Sequence, residues 1–156
     1  INPRENGWEE RYYQCLFDVK IDDNRRKEIC VNYLEGLEWT LKFYTTGCCN
    51  WRWSYKYNYP PLLKDLIKYI PAFDVTFIES SLPDPVHPLV QLSYVIPRKS
   101  LYLVPEKLQE LLLNEQNASY SEDYQIEWAY CKYFWESHVK FNETDIKELE
   151  ILVERL

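Results

Sequence analysis

The 156-residue chain has no methionine, three glycines and two histidines, and each shortage removes a class of chemistry. Three scattered glycines cannot build a glycine-rich phosphate loop, which excludes nucleotide hydrolysis of the P-loop kind. With His87 and His138 alone, and no pair of Cys-x-x-Cys motifs, a zinc site lacks ligands. His138 reads as a surface or satisfied residue of a strand and His87, between Val86 and Pro88, as a turn residue, since histidine catalysis demands a positioned nucleophile or substrate. Five cysteines, an odd number that includes the adjacent Cys48 and Cys49, suit a reducing compartment better than a disulfide framework. Signal peptide and membrane-spanning run are both missing from the pattern, so no membrane partner is expected. The sequons Asn117-Ala-Ser119 and Asn142-Glu-Thr144 are common by chance, and the cysteine usage does not suggest secretion. Positive charge is also short: 18 Lys and Arg face 25 Asp and Glu, for a net −7 and a pI near 4.9. An autonomous nucleic-acid binder neutralises phosphates with Lys and Arg, so any such contact must be local. A chain that begins at Ile1 without methionine reads as a piece of something larger.

What the chain has in excess is aromatic surface, 17% of residues within a hydrophobic total of 46%. That content can bury a core, and one compact unit is expected. Residues 47–61 concentrate it, reading Gly-Cys-Cys-Asn-Trp-Arg-Trp-Ser-Tyr-Lys-Tyr-Asn-Tyr-Pro-Pro. Alternation puts Trp51, Trp53, Tyr55, Tyr57 and Tyr59 on one side of an extended segment. Such a face packs a core or stacks bases, and aromatic residues far more often do the first.

The remaining pattern is α-rich with short strands. Helical spacing predicts a helix over 8–17 with Trp8, Tyr12, Cys15 and Leu16 clustered. A longer one follows over 24–44, capped by Asp22 or Asp23, with a stripe of Ile29, Tyr33, Leu37, Leu41 and Tyr44. Gly47 is its expected stop, and Gly36 inside it implies close packing against another segment, since glycine costs roughly 1 kcal/mol there. Pro60-Pro61 opens a short helix to Ile70 that buries Leu62, Leu63, Leu66, Ile67 and Ile70. Phe73, Val75 and Phe77 alternate as a strand, and 80–88 is a loop rather than a domain linker. Helices are expected from Pro88 to near Pro97 and from Pro105 to about Asn114, then a polar, mobile stretch over 114–123. A hairpin-like pair of strands follows over 124–141. Asn142 or Thr144 caps a last helix with a stripe of Ile146, Leu149, Leu152, Val153 and Leu156. Asp22, Asp23, Asp65, Asp74 and Asp84 fall at caps, helix faces and loops, where solvated structural roles prevail. None is assigned as a metal ligand, and no residue as catalytic.

Several motifs follow one another in a recognisable order: Gly7-Trp8-Glu9-Glu10-Arg11-Tyr12-Tyr13, Tyr33-Leu34-Glu35-Gly36-Leu37-Glu38-Trp39, Gly47 with Trp51-Arg52-Trp53-Ser54-Tyr55, Tyr57-Asn58-Tyr59-Pro60-Pro61, and Pro88-Leu89-Val90-Gln91-Leu92-Ser93-Tyr94-Val95-Ile96-Pro97, with Ser100 and Val104-Pro105. The order resembles the second conserved region of the XRN-type 5′→3′ exoribonucleases, the C-terminal half of their catalytic domain. The resemblance is strongest over 7–105 and weak over 106–156, where Trp135-Glu136 is an echo. The chain departs from the family pattern at Asn50 (usually serine), Lys56 (usually proline) and Asn58-Tyr59-Pro60-Pro61 (usually His-Tyr-Ala-Pro). A diverged member, of a virus or a fast-evolving microbe, fits these departures.

The resemblance implies an α+β fold, mostly α-helical with a few short strands, forming over 1–156 a single domain or lobe of a larger nuclease catalytic domain. Its implied function is that of a segment of a magnesium-dependent enzyme that degrades 5′-monophosphorylated RNA to mononucleotides. The ions would be bound outside this segment, by carboxylates of the N-terminal catalytic half of the same protein, so these 156 residues alone should be inactive. Family members stack the 5′ base on a tryptophan of this region, which implies Trp53 or Trp51. Stacking suits a sequence-blind nuclease because every base has a π-face. Arg52 could meet a phosphate or add a cation–π contact, with Tyr55, Tyr57, Tyr59 and Trp39 supporting the motif. Cytoplasm or nucleus is the expected compartment. A second reading is an inactive structural or protein-interaction module derived from the same fold, since interfaces favour Tyr and Trp. A third, a small single-strand binder, is the weakest given the acidic charge.

Overall fold

Mostly helical patterning becomes mostly helical structure: the described residues of the computed structural model, 4–156 except 80, 82, 83, 117, 129, 141 and 143, form six α-helices, two 3₁₀ turns and one two-stranded sheet. They divide into two compact units, Ile1–Asp84 and Pro85–Leu156. The boundary falls inside the stretch 80–88, expected as a loop rather than a linker; Ser80 itself lies outside the described residues. No described helix is long and apolar enough to cross a membrane.

In the first unit, α1 (Trp8–Phe17) follows Gly7 at φ 75, a left-handed conformation that glycine adopts without steric cost. Its most buried residue is Tyr13, 1% exposed, which the predicted cluster omitted. Asp22 caps α2 (Asp23–Thr45) by accepting the Arg25 N–H. The helix ends at the Lys42 carbonyl, which accepts the Thr46 N–H at 2.8 Å and the Gly47 N–H at 3.0 Å, with Gly47 at φ 99 turning the chain away. The predicted stripe of α2 holds only at its start. Ile29 is buried, but Leu37, Leu41 and Tyr44 are exposed, and Cys30, Asn32 and Leu34 are inside instead. The second half of the helix packs through Gly36, Glu38 and Trp39 instead, which leaves the predicted stripe facing outward.

Helix α3 (Leu63–Tyr69) packs on α2. Of the face expected to be buried, Leu66 is buried and Leu62 half-buried, but Leu63, Ile67 and Ile70 are exposed and Asp65 turns inward in their place. Residues 73–77 form no strand, and Phe73 and Val75 are exposed. This segment is held on α2 by ions instead. Lys42 donates to the Ile78 carbonyl and pairs with Glu38, while Glu38 accepts the Phe77 N–H at 2.6 Å. Burial pushes the Glu38 carboxyl up, but the Lys42 ammonium and the Phe77 N–H outweigh it and hold the group below its ordinary value.

The second unit begins with α4 (Pro88–Val95), where His87 Nδ1 accepts the Leu89 N–H as cap. A 3₁₀ turn (Arg98–Leu103) leads to α5 (Glu106–Glu115). Strands β1 (Gln125–Glu127) and β2 (His138–Lys140) pair antiparallel with Ile126 opposite Val139, and a short 3₁₀ turn (Phe134–Glu136) lies between them. Helix α6 (Ile146–Glu154) packs on α4 and α5. Its cap is Asp145, which accepts the Lys147 N–H, rather than Asn142 or Thr144; the Asn142 amide donates to the Ala118 carbonyl. The sequon asparagine Asn117, and Phe141 at the end of the expected hairpin, lie outside the described residues. Val90, Leu101, Val104, Leu108, Leu112, Leu149 and Leu152 make the core, each buried leucine contributing about 1.5–3 kcal/mol. Tyr120 joins it, donating to the Ser93 carbonyl, so the polar stretch over 114–123 is pinned by its one aromatic residue.

Buried thiol and phenol groups weaken the fold at alkaline pH, Cys30 in the first unit and Tyr120 in the second among them. Burial, with the Asp65 charge beside it, raises the Cys30 thiol from 9.0 to about 11, and burial raises the Tyr120 phenol from 10.0 to about 12. Each group is neutral in the folded core and ionises more readily when unfolded, so its contribution is complete below the lower value and lost as pH rises through the higher one. Circular dichroism during alkaline titration should therefore show the first unit weakening between pH 9 and about 11. A Cys30→Ala variant should be less stable at neutral pH and lose the part of the decline that begins near pH 9, while the phenols of Tyr13 and Tyr55, which burial raises above 10.0, keep the decline that begins near pH 10.

Candidate functional site

The aromatic run lies along α2 as two functional halves. Burial alternates from Trp53 to Tyr59: Trp53, Tyr55, Tyr57 and Tyr59 are half-buried, while Ser54, Lys56 and Asn58 are exposed. Trp51 breaks the expected single face. It sits in a turn at 51–52, is 51% exposed, and stacks on no other ring among the described residues.

The buried half is anchored ring by ring. Trp53 stacks on Trp39 at 6.1 Å and 22°, and Trp39 on Phe43 at 5.2 Å and 13°, so a column of three rings lies on α2. Gly36 makes room for it: a Cβ built there would sit 2.8 Å from the Trp53 ring. Tyr55 meets Tyr33 and Tyr57 edge-on, while Tyr57 and Tyr59 both rest on Phe17 of α1. Burial, with the neighbouring phenols, pushes the Tyr55 hydroxyl well above its ordinary range, so it stays a donor to the Tyr59 carbonyl.

Polar bonds pin the same segment. The Trp39 indole N–H donates to the Asn50 carbonyl at 2.8 Å. Asn32 of α2 accepts the Lys56 N–H at 3.0 Å and donates to Glu35 at 2.7 Å. Glu35 also accepts a longer bond of 3.4 Å from the Trp53 indole. From the other side Cys49 accepts the Ser81 N–H, and Arg52 donates through Nε to the Asp84 carbonyl. Between these supports opens a groove of about 470 Å³ lined by Asn32, Glu35, Asn50, Arg52, Trp53, Ser54 and Lys56. It can accept a flat ring beside an indole and an anion beside two cations.

Gly36→Ala tests the column. The added methyl gains about 1 kcal/mol of helix propensity, against about 1–3 kcal/mol for overpacking an indole that Trp39 holds from behind. We expect a net loss of about 1 kcal/mol in urea unfolding and a shift in tryptophan emission as Trp53 is displaced.

Of the residues singled out in the sequence, Trp39, Trp53, Tyr55, Tyr57 and Tyr59 come together as the anchored half, and Arg52 and Trp51 lie at its open edge. Asp65 is not a solvated acid: it is 2% exposed, paired with Arg26 and Lys68, and accepts the Tyr13 hydroxyl at 2.9 Å. Asp22 is a cap and Asp23 pairs with Arg26; Asp74 and Asp84 are exposed. No three His, Cys, Asp or Glu side chains among the described residues converge where an ion could sit. Asn32 and Glu35 complete the groove without having been expected there, although a polar residue such as Asn32 among the apolar positions of a helix is a visible signal.

Comparison with known proteins agrees with the motif order. A family model described as the Xrn1 helical domain matches residues 2–154. The chain is 31% identical to 5′-3′ exoribonuclease 2 of Gallus gallus over 156 residues, covering 97% of this chain and 16% of that protein. It is 34% identical to the 5′-3′ exoribonuclease 2 homolog of Caenorhabditis elegans over 136 residues, 85% of this chain and 14% of that one. Against 5′-3′ exoribonuclease 2 of Arabidopsis thaliana the identity is 32% over 149 residues, 92% of this chain and 14% of the relative. The chain thus spans a small fraction of the length of the relatives it matches.

Proposed function

The chain belongs to the XRN family of 5′→3′ exoribonucleases, and from that premise we propose that it is the part of such an enzyme that receives the 5′ end of RNA. The substrate is a single strand with a 5′-monophosphate, degraded to mononucleotides. On this reading magnesium belongs to carboxylates of the N-terminal catalytic half, where it would activate water and stabilise the leaving oxygen. What these residues do is bind and orient. The observation that supports this most is the contrast between two neighbouring indoles: Trp53 is fixed in a column on α2, and Trp51 is carried outward from that fixed base with its ring exposed. A ring so placed stacks the terminal base, contributing about 1–3 kcal/mol whatever the base. Arg52, beside it, meets backbone phosphate.

A second reading, an inactive interaction module, draws on the exposed rings of the other unit, Phe134 at 65% and Trp135 at 77%. The two separate in one assay. The longest form of the protein, upstream half included, is incubated with magnesium and RNA carrying either a 5′-monophosphate or a 5′-hydroxyl. The nuclease reading expects mononucleotides from the phosphorylated RNA alone; intact RNA in both reactions would mark the module.

A further inference from the structure

The geometry points to a phosphate-binding site in the groove beside Trp53, in which Lys56 takes a backbone phosphate of RNA downstream of the stacked 5′ nucleotide. The inference rests on the nuclease reading above and adds a contact to it. Its first ground is local charge. The chain carries net −7, yet the groove brings Arg52 and Lys56 to a single carboxylate, Glu35. That carboxylate is turned into the wall, accepting from the Asn32 amide and the Trp53 indole.

Its second ground is how cations elsewhere are used. Arg26, Lys42, Lys64, Lys68, Lys140 and Arg155 pair with carboxylates; among the described residues several exposed cations, Arg25, Lys27 and Lys147 included, do not, and of these unpaired cations Lys56 is the one that lines the groove. The Lys56 backbone is fixed by Asn32, while its ammonium makes no hydrogen bond or ion pair among the described residues. What separates Lys56 from the other unpaired cations is its place beside an indole in a groove, where an anion can reach the ammonium. A diester phosphate suits it because a lysine reads charge without demanding the bidentate geometry of an arginine. Trp53 gives the adjoining nucleotide an apolar wall. The sugar-phosphate chain would then run from Trp51 along the groove, its register set by stacking and its path by charge.

The test uses the longest form of the protein, upstream half included, with wild type, Lys56→Ala and Lys56→Arg, and a 5′-phosphorylated oligoribonucleotide whose affinity is measured across a salt series with magnesium withheld. Loss of one phosphate contact on a single strand should lower the slope of log affinity against log salt by about 0.7, and weaken binding up to about fivefold at moderate salt, the range of an exposed ion pair. Lys56→Arg should keep the wild-type slope. Replacing the contacted phosphate by a neutral methylphosphonate should abolish the difference between wild type and Lys56→Ala. Equal slopes for wild type and Lys56→Ala in an enzyme that still degrades RNA would overturn this site and leave the nuclease reading standing. Wild-type protein that neither binds nor degrades RNA would remove both. Lys56 is exposed, and matching thermal unfolding of the three proteins establishes that a changed slope reports the contact.

Discussion

Replacing Asp65 by alanine should cost the first unit about 1–3 kcal/mol, the cost of leaving a buried polar group without its partner, since its cations are less buried than the carboxylate, Lys68 being 59% and Arg26 20% exposed. The carboxylate is the meeting point of three elements. It accepts the Tyr13 hydroxyl of α1 at 2.9 Å, pairs with Lys68 of α3 at 3.1 Å, and lies 3.3 Å from Nε of Arg26 on α2. The Arg26 Nε is buried and aligned with no acceptor, so Asp65 supplies it charge rather than a hydrogen bond. Without the carboxylate that guanidinium loses its buried counter-charge, and the Tyr13 hydroxyl, which also accepts the Leu62 N–H at 3.1 Å, loses its acceptor. At roughly 0.05–0.15 kcal/mol per residue, a unit of this size has only several kcal/mol to lose. Urea unfolding followed by circular dichroism checks this, with Asp65→Asn expected to lose less because it keeps an acceptor for Tyr13. A loss under about 1 kcal/mol for Asp65→Ala would show the three elements held by apolar packing alone.

The second large effect separates the two tryptophans. Trp51→Ala should leave stability within about 0.5 kcal/mol, as expected of an exposed side chain. Its kcat/KM on 5′-monophosphorylated RNA should fall about 5- to 150-fold, the equivalent of one lost stack of 1–3 kcal/mol. Trp53→Ala should do both kinds of damage. Removing a half-buried indole from the column with Trp39 leaves a cavity worth about 2–3 kcal/mol, and the turn that carries Trp51 loses its base. Steady-state kinetics beside urea unfolding of each variant tells them apart. Unchanged kinetics for Trp51→Ala, with loss for Trp53→Ala, would make Trp53 the stacking residue.

Where local signals were strong, the sequence was legible. Gly7, Asp22, Gly47, His87-Pro88 and Pro105 mark helix ends through their own chemistry, so α1, α2, α4 and α5 lie close to where they were expected. The alternation of the aromatic run appears as alternating burial from Trp53 onward, and the glycine inside α2 as the seat of an indole. Faces of helices were less legible. Nothing local in α3 says that Asp65 turns inward while Leu63 and Ile67 turn out; that follows from Tyr13, Arg26 and Lys68, which are distant in sequence or ambiguous in role. The strand expected at 73–77 failed for a related reason, because alternation without a partner strand has no ladder to join, and ion contacts from Glu38 and Lys42 place the segment instead. In the site, rings were visible as composition, but the groove wall of Asn32 and Glu35 depends on how α2 faces the run.

The most direct test places the reporter on the RNA. An oligoribonucleotide with a 5′-monophosphate and 2-aminopurine as its first base is bound to the longest form of the protein with metal withheld, and its fluorescence is compared for wild type, Trp51→Ala and Trp53→Ala. Stacking of the 5′ base on Trp51 predicts strong quenching by wild type that is lost in Trp51→Ala at saturating protein. Quenching that survives in Trp51→Ala would contradict the account.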